Sequence, residues 1–274
     1  MKRIMVTGAT GFVGRHVLSS LAKKGNRIVA AVRIDKADIA ANLSGIDDIV
    51  TTHDLFSESE QWWQNNLRDI DIVIHAAWYV VSGRYLTAPE NLNCLTGTIT
   101  LAKACIASGV SRFVGIGTCA EYDSSFGLLH TSTPLKPDTL YAACKSASYM
   151  TLSQLFRLHG IGFSWCRLFY LHGENEATDR FVPYLRKCMQ EGLRADLTSG
   201  NQVRDFLDVR DAAEMIAASA LDDVNGPVNV CSGIPTTIRQ LAERIADEYG
   251  RRDLLNFGGR AENHFDPPVI LGVR

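Results

Sequence analysis

A tyrosine and a lysine stand four positions apart at Tyr141 and Lys145, and a threonine precedes them at Thr118. On a helix, residues at i and i+4 share one face, so the phenol and the ammonium would lie side by side. A nearby ammonium lowers the pKa of a phenol, and such a phenol can exchange a proton with a substrate oxygen. Thr118 directly follows a predicted strand and is placed to bind the same oxygen. The three residues therefore predict proton transfer at a carbonyl or hydroxyl group.

A three-glycine turn, Gly8-Ala9-Thr10-Gly11-Phe12-Val13-Gly14, lies between an apolar strand and an amphipathic helix. Gly8 permits the tight turn, Gly11 lets the backbone approach a pyrophosphate, and Gly14 lets the helix pack close to the strand. The free N–H groups and the positive dipole end of the helix would meet the anion. The glycine spacing alone also fits a structural turn, but the strand and helix around it favour a dinucleotide site.

Strand-like and helix-like segments alternate through the first 170 residues. Strands are predicted at 3–7, 27–33, 49–52, 71–75, 112–117 and 163–169, and helices at 12–24, 58–67, 89–108 and 138–159. This alternation predicts the α/β class, with a Rossmann-type, doubly wound parallel sheet that helices cover on both faces. Ligands of such sheets bind at the carboxyl ends of the strands, where the polar residues named above lie.

The second part of the chain is less regular, with shorter strands and more glycine and proline. Helices are predicted at 179–191, 208–221 and 236–249, and strands near 196–198, 202–206 and 228–230. We predict a cofactor-binding domain over 1–170. We predict that 171–274 is mainly a smaller, substrate-binding lobe with segments that return to the large sheet. The apolar run at the end of 266–274 predicts an edge strand, or an altered end of the sequence.

Composition excludes several classes of protein. The 274 residues carry a net charge of -2, which argues against a nucleic-acid or membrane-surface partner. No apolar run is long enough to cross a membrane and no signal peptide opens the chain, so we expect a cytoplasmic protein. The seven cysteines are scattered without a C-x-x-C motif, which is typical of free thiols in a reducing compartment. No histidine or cysteine spacing predicts a metal site.

Together these motifs resemble the extended short-chain dehydrogenases/reductases, the group of nucleotide-sugar epimerases, dehydratases and ketoreductases. Further segments that resemble this family are His53-Asp54-Leu55, Ile74-His75-Ala76-Ala77, Arg167-Leu168-Phe169-Tyr170-Leu171-His172-Gly173 and Arg204-Asp205-Phe206-Leu207-Asp208-Val209. The resemblance covers nearly the whole chain. It implies that Thr118, Tyr141 and Lys145 are catalytic, that Asn93 braces the centre of the sheet, and that the two long helices form a homodimer interface.

The resemblance also implies the residues that contact each ligand. Those expected to bind the cofactor are Gly8, Thr10, Gly11, Phe12, Val13, Arg33, Asp54, Leu55, Ala76, Ala77, Tyr141, Lys145, Phe169 and Leu171. Those expected to bind a nucleotide-diphosphate sugar are Thr118, Glu121, Arg180, Arg204 and Arg260. Within this set Arg204 is expected on the diphosphate, and Arg260 is a weaker match because the residues after it depart from the family pattern.

The residues after Thr118 discriminate among the activities of the family. Dehydratases carry an Asp-Glu pair where this chain has Cys119 and Ala120, so dehydration is not expected. The Cys and His pattern of combined C3 and C5 epimerisation is absent as well. What remains is hydride transfer at C4, and the chain resembles NDP-4-keto-6-deoxyhexose reductases most. A 4-epimerase is the first alternative, and a non-catalytic NADP-binding regulatory protein is the second.

The end of the second predicted strand indicates the cofactor. NAD-selective members usually carry an Asp there that binds the ribose 2′-hydroxyl, but this chain has Arg33, and Asp35 comes two residues later. A guanidinium suits a 2′-phosphate, because its planar fork matches phosphate oxygens. We therefore predict NADP, with NAD as the second choice.

Overall fold

The computed structural model describes residues 1–263 and 266–274, in which strands and helices alternate from the first residues onward. The strands are β1 Arg3–Thr7, β2 Arg27–Arg33, β3 Asp48–Thr52, β4 Ile72–His75, β5 Arg112–Thr118, β6 Leu128–Leu129, β7 Gly162–Leu168, β8 Tyr170–His172, β9 Ala195–Leu197, β10 Val203–Asp208, β11 Gly226–Val230, β12 Pro235–Thr237, β13 Leu255–Phe257 and β14 Val269–Gly272. The helices are α1 Phe12–Lys23, α2 Ala37–Ala41, α3 Glu60–Asn66, α4 Glu90–Ala107, α5 Leu140–Leu158, α6 Phe181–Glu191, α7 Val209–Leu221 and α8 Ile238–Glu248.

Seven strands form one sheet in the order β11-β7-β5-β4-β1-β2-β3. Every pairing in this sheet is parallel. This confirms the predicted α/β class and Rossmann-type architecture. From β1 the chain builds outward through β2 and β3, and it then continues from β4 on the other side of β1. The strand order therefore reverses between β1 and β4, which is where such sheets bind ligands beyond the strand ends.

Helices cover both faces of the large sheet. On one face α1 and α7 pack against each other over a core of aliphatic side chains from β1, β2 and β4. On the other face α3, α4 and α5 pack side by side over the aromatic residues Phe113, Phe156 and Trp165. Helix α7 and the edge strand β11 of this sheet come from beyond residue 171. Part of the second half of the chain therefore completes the large sheet and its helical cover.

The rest of the second half forms a smaller unit around its own core. A second sheet has the order β12-β10-β14-β6, with β8 beside β10, and β13 pairs with β9. Helices α6 and α8 pack together over Leu185, Met189 and Ile245. The terminal strand β14 pairs with β10 on one side and β6 on the other, so the predicted edge strand was wrong. Apolar residues suit this interior position, because Ile270 is buried with Tyr122 and Phe169.

His75 joins three elements at the centre of the fold. Its Nδ1 lies 2.9 Å from Thr7 Oγ1 on β1, and its Nε2 lies 2.9 Å from Thr98 Oγ1 on α4. The Thr98 hydroxyl donates to the Cys94 carbonyl, so the His75 Nε2–H donates to Thr98 and Nδ1 accepts from Thr7. Burial lowers the pKa of His75 to about 3 and keeps the ring neutral.

This buried histidine makes stability depend on pH. In the unfolded chain His75 takes up a proton below its ordinary pKa of 6.5, whereas in the folded chain it does so only near pH 3. The free energy of unfolding therefore decreases as the pH falls between these two values. At pH 5 the loss amounts to about 2 kcal/mol. We expect urea unfolding between pH 7 and pH 5 to show this loss in the wild type but not in His75→Gln. Equal slopes in the two proteins would contradict the assignment.

Candidate active site

The glycine turn lies at the carboxyl end of β1 and opens α1. A Cβ on Gly8, whose φ is +69°, would come within 2.7 Å of the Ala77 backbone, and one on Gly14 would come within 2.1 Å of the Gly8 carbonyl oxygen. Both glycines are therefore required by packing. Gly11 differs, because it is exposed and its Cβ would meet only the Gly8 oxygen, at 3.2 Å. The backbone is thus open to a ligand at Gly11.

The start of α1 has the properties of an anion site. Gly11 is the N-cap and provides no side-chain cap, and no acidic residue lies in the first turn. The N–H groups of Phe12 and Val13 have no partner inside the helix, since the first turn of any helix lacks carbonyl acceptors. Ala77 crosses beside the turn and donates its N–H to Thr7 Oγ1 at 3.2 Å. These residues fit a dinucleotide pyrophosphate.

The remaining residues predicted to bind the cofactor lie in different environments. Leu55 is buried and Asp54 is exposed, with its carboxylate accepting from Ser57 Oγ at 2.7 Å. Leu171 is half-buried in the core that includes β1. Phe169 is buried in a small cluster with Tyr122 and Ile270, so its ring faces the second lobe and only its backbone is available to a ligand at the strand ends.

Arg33 ends β2 at the same edge of the sheet. Its side chain is 54% exposed and pairs with Asp35 at 3.0 Å. The guanidinium is therefore accessible, and its present partner is a surface carboxylate that contributes little binding energy.

The structure brings Thr118 and Tyr141 together. Thr118 is the last residue of β5, and Tyr141 lies in the first turn of α5. Thr139 caps this helix by accepting the Ala142 N–H at 3.2 Å, and the Tyr141 N–H donates to the Leu86 carbonyl at 3.1 Å. The Thr118 side chain lies close enough to the Tyr141 phenol to lower its pKa.

The surroundings of the phenol differ from the expectation. Burial, together with neighbouring Tyr85, raises the pKa of Tyr141 above its ordinary value, and the Thr118 side chain opposes this. The Nζ of Lys145 donates to the Ile116 carbonyl at 2.6 Å and faces the Trp78 ring 3.8 Å from its centroid. Burial lowers the pKa of Lys145 to about 7. The expected lowering of the Tyr141 pKa is thus not found, because the net shift is upward.

The prediction that Glu121 binds substrate was also wrong. Its side chain is fully buried beneath the 3-10 turn Cys119–Glu121. The carboxylate accepts the Thr118 N–H at 2.8 Å, the Trp165 indole N–H at 3.0 Å and the Arg167 Nε–H at 2.8 Å. It therefore fixes the backbone of Thr118 from behind and presents no free oxygen to a sugar.

A buried polar network continues from this carboxylate into the second lobe. Arg167 donates from Nη1 to the Tyr122 hydroxyl at 3.0 Å, and that hydroxyl donates to Asn229 Oδ1 at 2.7 Å. Asn229 Nδ2 in turn donates to the carbonyls of Leu129 and Val273. Sequence reasoning missed this network. The Arg on β7 and the Glu after β5 were visible, but their pairing depends on two neighbouring strands that are far apart in sequence.

The asparagine predicted to brace the sheet, Asn93, does not face the sheet. Asn93 is exposed, whereas Asn91 and Cys94 on the same helix are buried. Asn91 Oδ1 accepts the indole N–H of Trp78 at 2.8 Å, and Cys94 Sγ accepts the Tyr79 N–H at 3.4 Å. The helical phase of α4, which the sequence pattern left uncertain, decides which of these side chains face inward.

The arginines expected at the substrate lie in the second lobe. Arg204 on β10 is buried, pairs with Asp266 at 2.6 Å and lies over the Tyr170 ring at 5.5 Å. Arg180 is exposed at the start of α6, and Arg260 is exposed after β13. Only Arg204 is thus part of a built polar site.

Two further features concern the described residues alone. No helix among them is long and apolar enough to cross a bilayer. They contain no group of three or more His, Cys, Asp or Glu side chains that could hold a metal ion.

The cysteine beside Thr118, Cys119, has a pKa raised by burial to about 12, so its thiol is protonated at neutral pH.

The family model described as the NAD dependent epimerase/dehydratase family matches residues 4–231. The chain belongs to this family. This confirms the resemblance to extended short-chain dehydrogenases/reductases and the prediction of an oxidoreductase-type enzyme.

Individual relatives are distant but cover nearly the whole chain. A dTDP-6-deoxy-L-talose 4-dehydrogenase (NAD(+)) of Aggregatibacter actinomycetemcomitans is 22% identical over 99% of this chain and 99% of its own length. Among solved structures, a UDP-N-acetylglucosamine 4-epimerase of Methanobrevibacter ruminantium in complex with UDP-N-acetylmuramic acid has a TM-score of 0.86 at 22% identity, covering 99% of this chain and 89% of that one. A UDP-glucose 4-epimerase of Thermus thermophilus in complex with NAD has a TM-score of 0.84 at 21% identity, covering 99% and 90%.

Proposed function

We propose that this enzyme reduces the C4 ketone of a nucleotide-linked 4-keto-6-deoxyhexose with NAD(P)H. The observation that carries the proposal is the placement of Thr118, at the carboxyl end of β5, beside Tyr141 in the first turn of α5. The same edge of this sheet carries the glycine turn after β1. The Aggregatibacter relative is named as a 4-dehydrogenase of a nucleotide-linked 6-deoxyhexose. That name denotes oxidation at C4, which is the reverse of the reduction proposed here.

The residues of the site suit reduction. The bound dinucleotide supplies the hydride. Thr118 and Tyr141 hold the ketone oxygen between two hydroxyl groups, and Tyr141 gives that oxygen its proton as the alcohol forms. A raised pKa keeps the Tyr141 phenol protonated at neutral pH, which is the form that a reductase needs at the start of its reaction. Lys145, on the same face of α5, would bind the ribose of the dinucleotide.

The other end of the substrate belongs to the second lobe. Arg204 is the proposed partner of the diphosphate, and Arg180 and Arg260 supply further positive charge from the surface. Arg204 is paired with Asp266, so a diphosphate takes the place of that carboxylate or shares the guanidinium with it. Arginine suits this role, because its fork binds two phosphate oxygens at once.

A turnover screen tests the proposal. Purified protein is mixed with NADPH or NADH and a panel of 4-keto-6-deoxyhexoses linked to dTDP, UDP or GDP, and the loss of absorbance at the reduced nicotinamide is followed with the configuration of the product. We expect stoichiometric oxidation of the cofactor with at least one substrate. No oxidation with any member of the panel would contradict the proposal.

The main alternative is a nucleotide-sugar 4-epimerase, the activity for which both of the similar solved structures are named. An epimerase regenerates its cofactor in each cycle. Incubation of the enzyme with UDP-glucose or UDP-glucuronic acid, without added cofactor, therefore distinguishes the two: repeated turnover indicates epimerisation, and its absence indicates reduction. Tightly bound NADP without affinity for any nucleotide sugar would indicate the second alternative, a regulatory protein.

We also propose a preference for NADP, although the structurally similar Thermus enzyme is in complex with NAD. The support is Arg33, an accessible guanidinium at the position where a ribose-binding carboxylate would favour NAD. We expect Arg33→Ala to weaken NADPH binding by about ten- to a hundredfold, since a charged hydrogen bond to phosphate contributes ~1.5–3 kcal/mol, and to leave NADH binding unchanged.

Arg27 provides the matched control for this experiment. It lies at the opposite end of β2, is 53% exposed and likewise pairs with a surface aspartate, Asp47. Arg27→Ala should leave the affinity for both cofactors unchanged in the same fluorescence titration. An NADPH-to-NADH ratio that stays the same in Arg33→Ala would refute the preference.

The proposed assembly is a cytoplasmic homodimer. The long helices α4 and α5 pack side by side and leave apolar side chains on their outer faces, with Leu92 51% and Met150 60% exposed. Such a surface is suited to a second copy of the chain. Sedimentation of the purified protein tests this, and a monomer at micromolar concentration would contradict it.

A further inference from the structure

Lys145 is held by two groups that carry no formal charge. The side chain is buried, and its Nζ donates to the Ile116 carbonyl on β5 at 2.6 Å. On another side the ammonium faces the ring of Trp78, 3.8 Å from the centroid, while Trp165 is more distant at 5.9 Å. An ammonium at this distance from the face of an indole is attracted by the negative charge of the π system, most strongly where water is excluded.

Trp78 is itself fixed. Its indole N–H donates to Asn91 Oδ1 at 2.8 Å. The Asn91 side chain is fully buried, and its Nδ2 donates to the carbonyls of Tyr85 at 2.7 Å and Ala88 at 2.8 Å. Both amide hydrogens and the amide oxygen are therefore used, and the orientation of the amide is determined by its partners. Asn91 thus ties the ring of Trp78 to the loop that leads into α4.

The same loop places a second aromatic residue against the catalytic phenol. The ring of Tyr85 meets that of Tyr141 edge-on, with 4.9 Å between centroids, and Trp78 lies edge-on to Tyr141 at 6.5 Å. Because Asn91 binds both the indole of Trp78 and the backbone of Tyr85, one buried amide sets both contacts. The loop between β4 and α4 therefore encloses the pair of Tyr141 and Lys145 from one side.

We propose that Trp78, held by Asn91, is a positioning residue that holds the Lys145 ammonium at the Ile116 carbonyl through the face of its ring. The proposal rests on the proposed catalytic role of Lys145 but concerns a different residue. Its consequence is that removing the ring should make the ammonium harder to keep charged.

Few other titratable groups influence Lys145. From the turn after β5, Glu121 favours the charged ammonium, although this carboxylate is also bound to Arg167. Cys94 on α4 faces it as a thiol whose pKa burial raises to about 11. His75 on β4 is neutral. Neither Cys94 nor His75 changes its charge near pH 7, where Lys145 titrates, so these two groups do not interfere with the titration of Lys145.

The test measures the titration of Lys145 in the folded protein without substrate. Lysine labelled with ¹³C at Cε is observed by NMR from pH 5 to pH 9, and the Lys145 resonance is the one absent in Lys145→Met. For the wild type we expect a midpoint near 7. In Trp78→Leu the midpoint should fall by about one pH unit, and Trp78→Phe should recover at least half of that shift because it keeps an aromatic face.

Two further variants complete the design. Trp62→Leu, at a partly buried tryptophan on α3 that contacts Trp63, is the matched control and should leave the midpoint unchanged. Asn91→Ala keeps the Trp78 ring but removes its anchor, and should shift the midpoint in the same direction by a smaller amount. If Trp78→Leu does not fold, Asn91→Ala and Trp78→Phe together decide the question.

An unchanged midpoint in Trp78→Leu, or in Asn91→Ala if the first variant is unfolded, would overturn the proposal. The titration requires no turnover, so it tests the role of Trp78 separately from the proposed reductase function. A shifted midpoint without activity on any nucleotide sugar would support the role of Trp78 and contradict the proposed function. Where the wild type is active, the pH at which turnover changes should move with the NMR midpoint.

Discussion

Tyr141→Phe should lower the rate of hydride transfer by about 10³-fold and leave cofactor binding within a factor of two. The variant keeps the ring that contacts Tyr85 but loses the only group in the hydroxyl pair that we propose as proton donor. General acid catalysis of this kind contributes about 10²–10⁴-fold. Single-turnover absorbance with saturating NADPH measures the chemical step directly, and fluorescence titration measures cofactor binding.

A second tyrosine on the same helix gives the control. Tyr149 lies two turns after Tyr141, is partly buried and stacks on Phe163 at 6.4 Å. Tyr149→Phe removes the same hydroxyl group from the same helix and should retain the wild-type rate. A Tyr141→Phe enzyme that turns over at the rate of Tyr149→Phe would show that the proton comes from another group.

Local sequence signals predicted most of the architecture. The apolar runs of β1, β2, β4 and β5 are short and bounded by turn residues, and the predicted strands agree with the observed ones to within one residue. The glycine turn marked the strand end at which the sheet order later proved to reverse. These features depend on residues close in sequence, so periodicity and turn chemistry were sufficient to find them.

The errors concern residues whose environment depends on distant parts of the chain. Glu121 comes directly after a predicted strand, where substrate-binding residues are expected. Its carboxylate instead forms a buried ion pair with Arg167 on the neighbouring strand. Lys145 has the expected spacing from Tyr141, but spacing does not specify the rotamer, and the Ile116 carbonyl and the Trp78 ring determine it. The strand β14 was placed at an edge because nothing in the sequence indicates that β6, two residues long, pairs with it.

Glu121→Ala should destabilise the protein by about 3–5 kcal/mol, the cost of leaving one buried charge without its partner. The Arg167 side chain is 1% exposed and Glu121 is 0% exposed, so water cannot replace the lost carboxylate. Urea unfolding at pH 7, followed by circular dichroism, measures the loss. The exposed pair of Arg186 and Glu248 provides the control, because Glu248→Ala removes a carboxylate at a similar distance on the surface and should cost less than about 1 kcal/mol.

The double variant Glu121→Leu, Arg167→Leu separates two roles of the buried pair. The double variant should recover part of the stability that Glu121→Ala loses, because it leaves no unpaired buried charge. Recovery should be incomplete, since the buried Trp165 indole N–H also loses its acceptor. We expect no recovery of turnover, since Glu121 also accepts the Thr118 N–H at 2.8 Å and thereby sets the position of the Thr118 hydroxyl. Recovery of turnover together with stability would show that the carboxylate has no part in positioning Thr118.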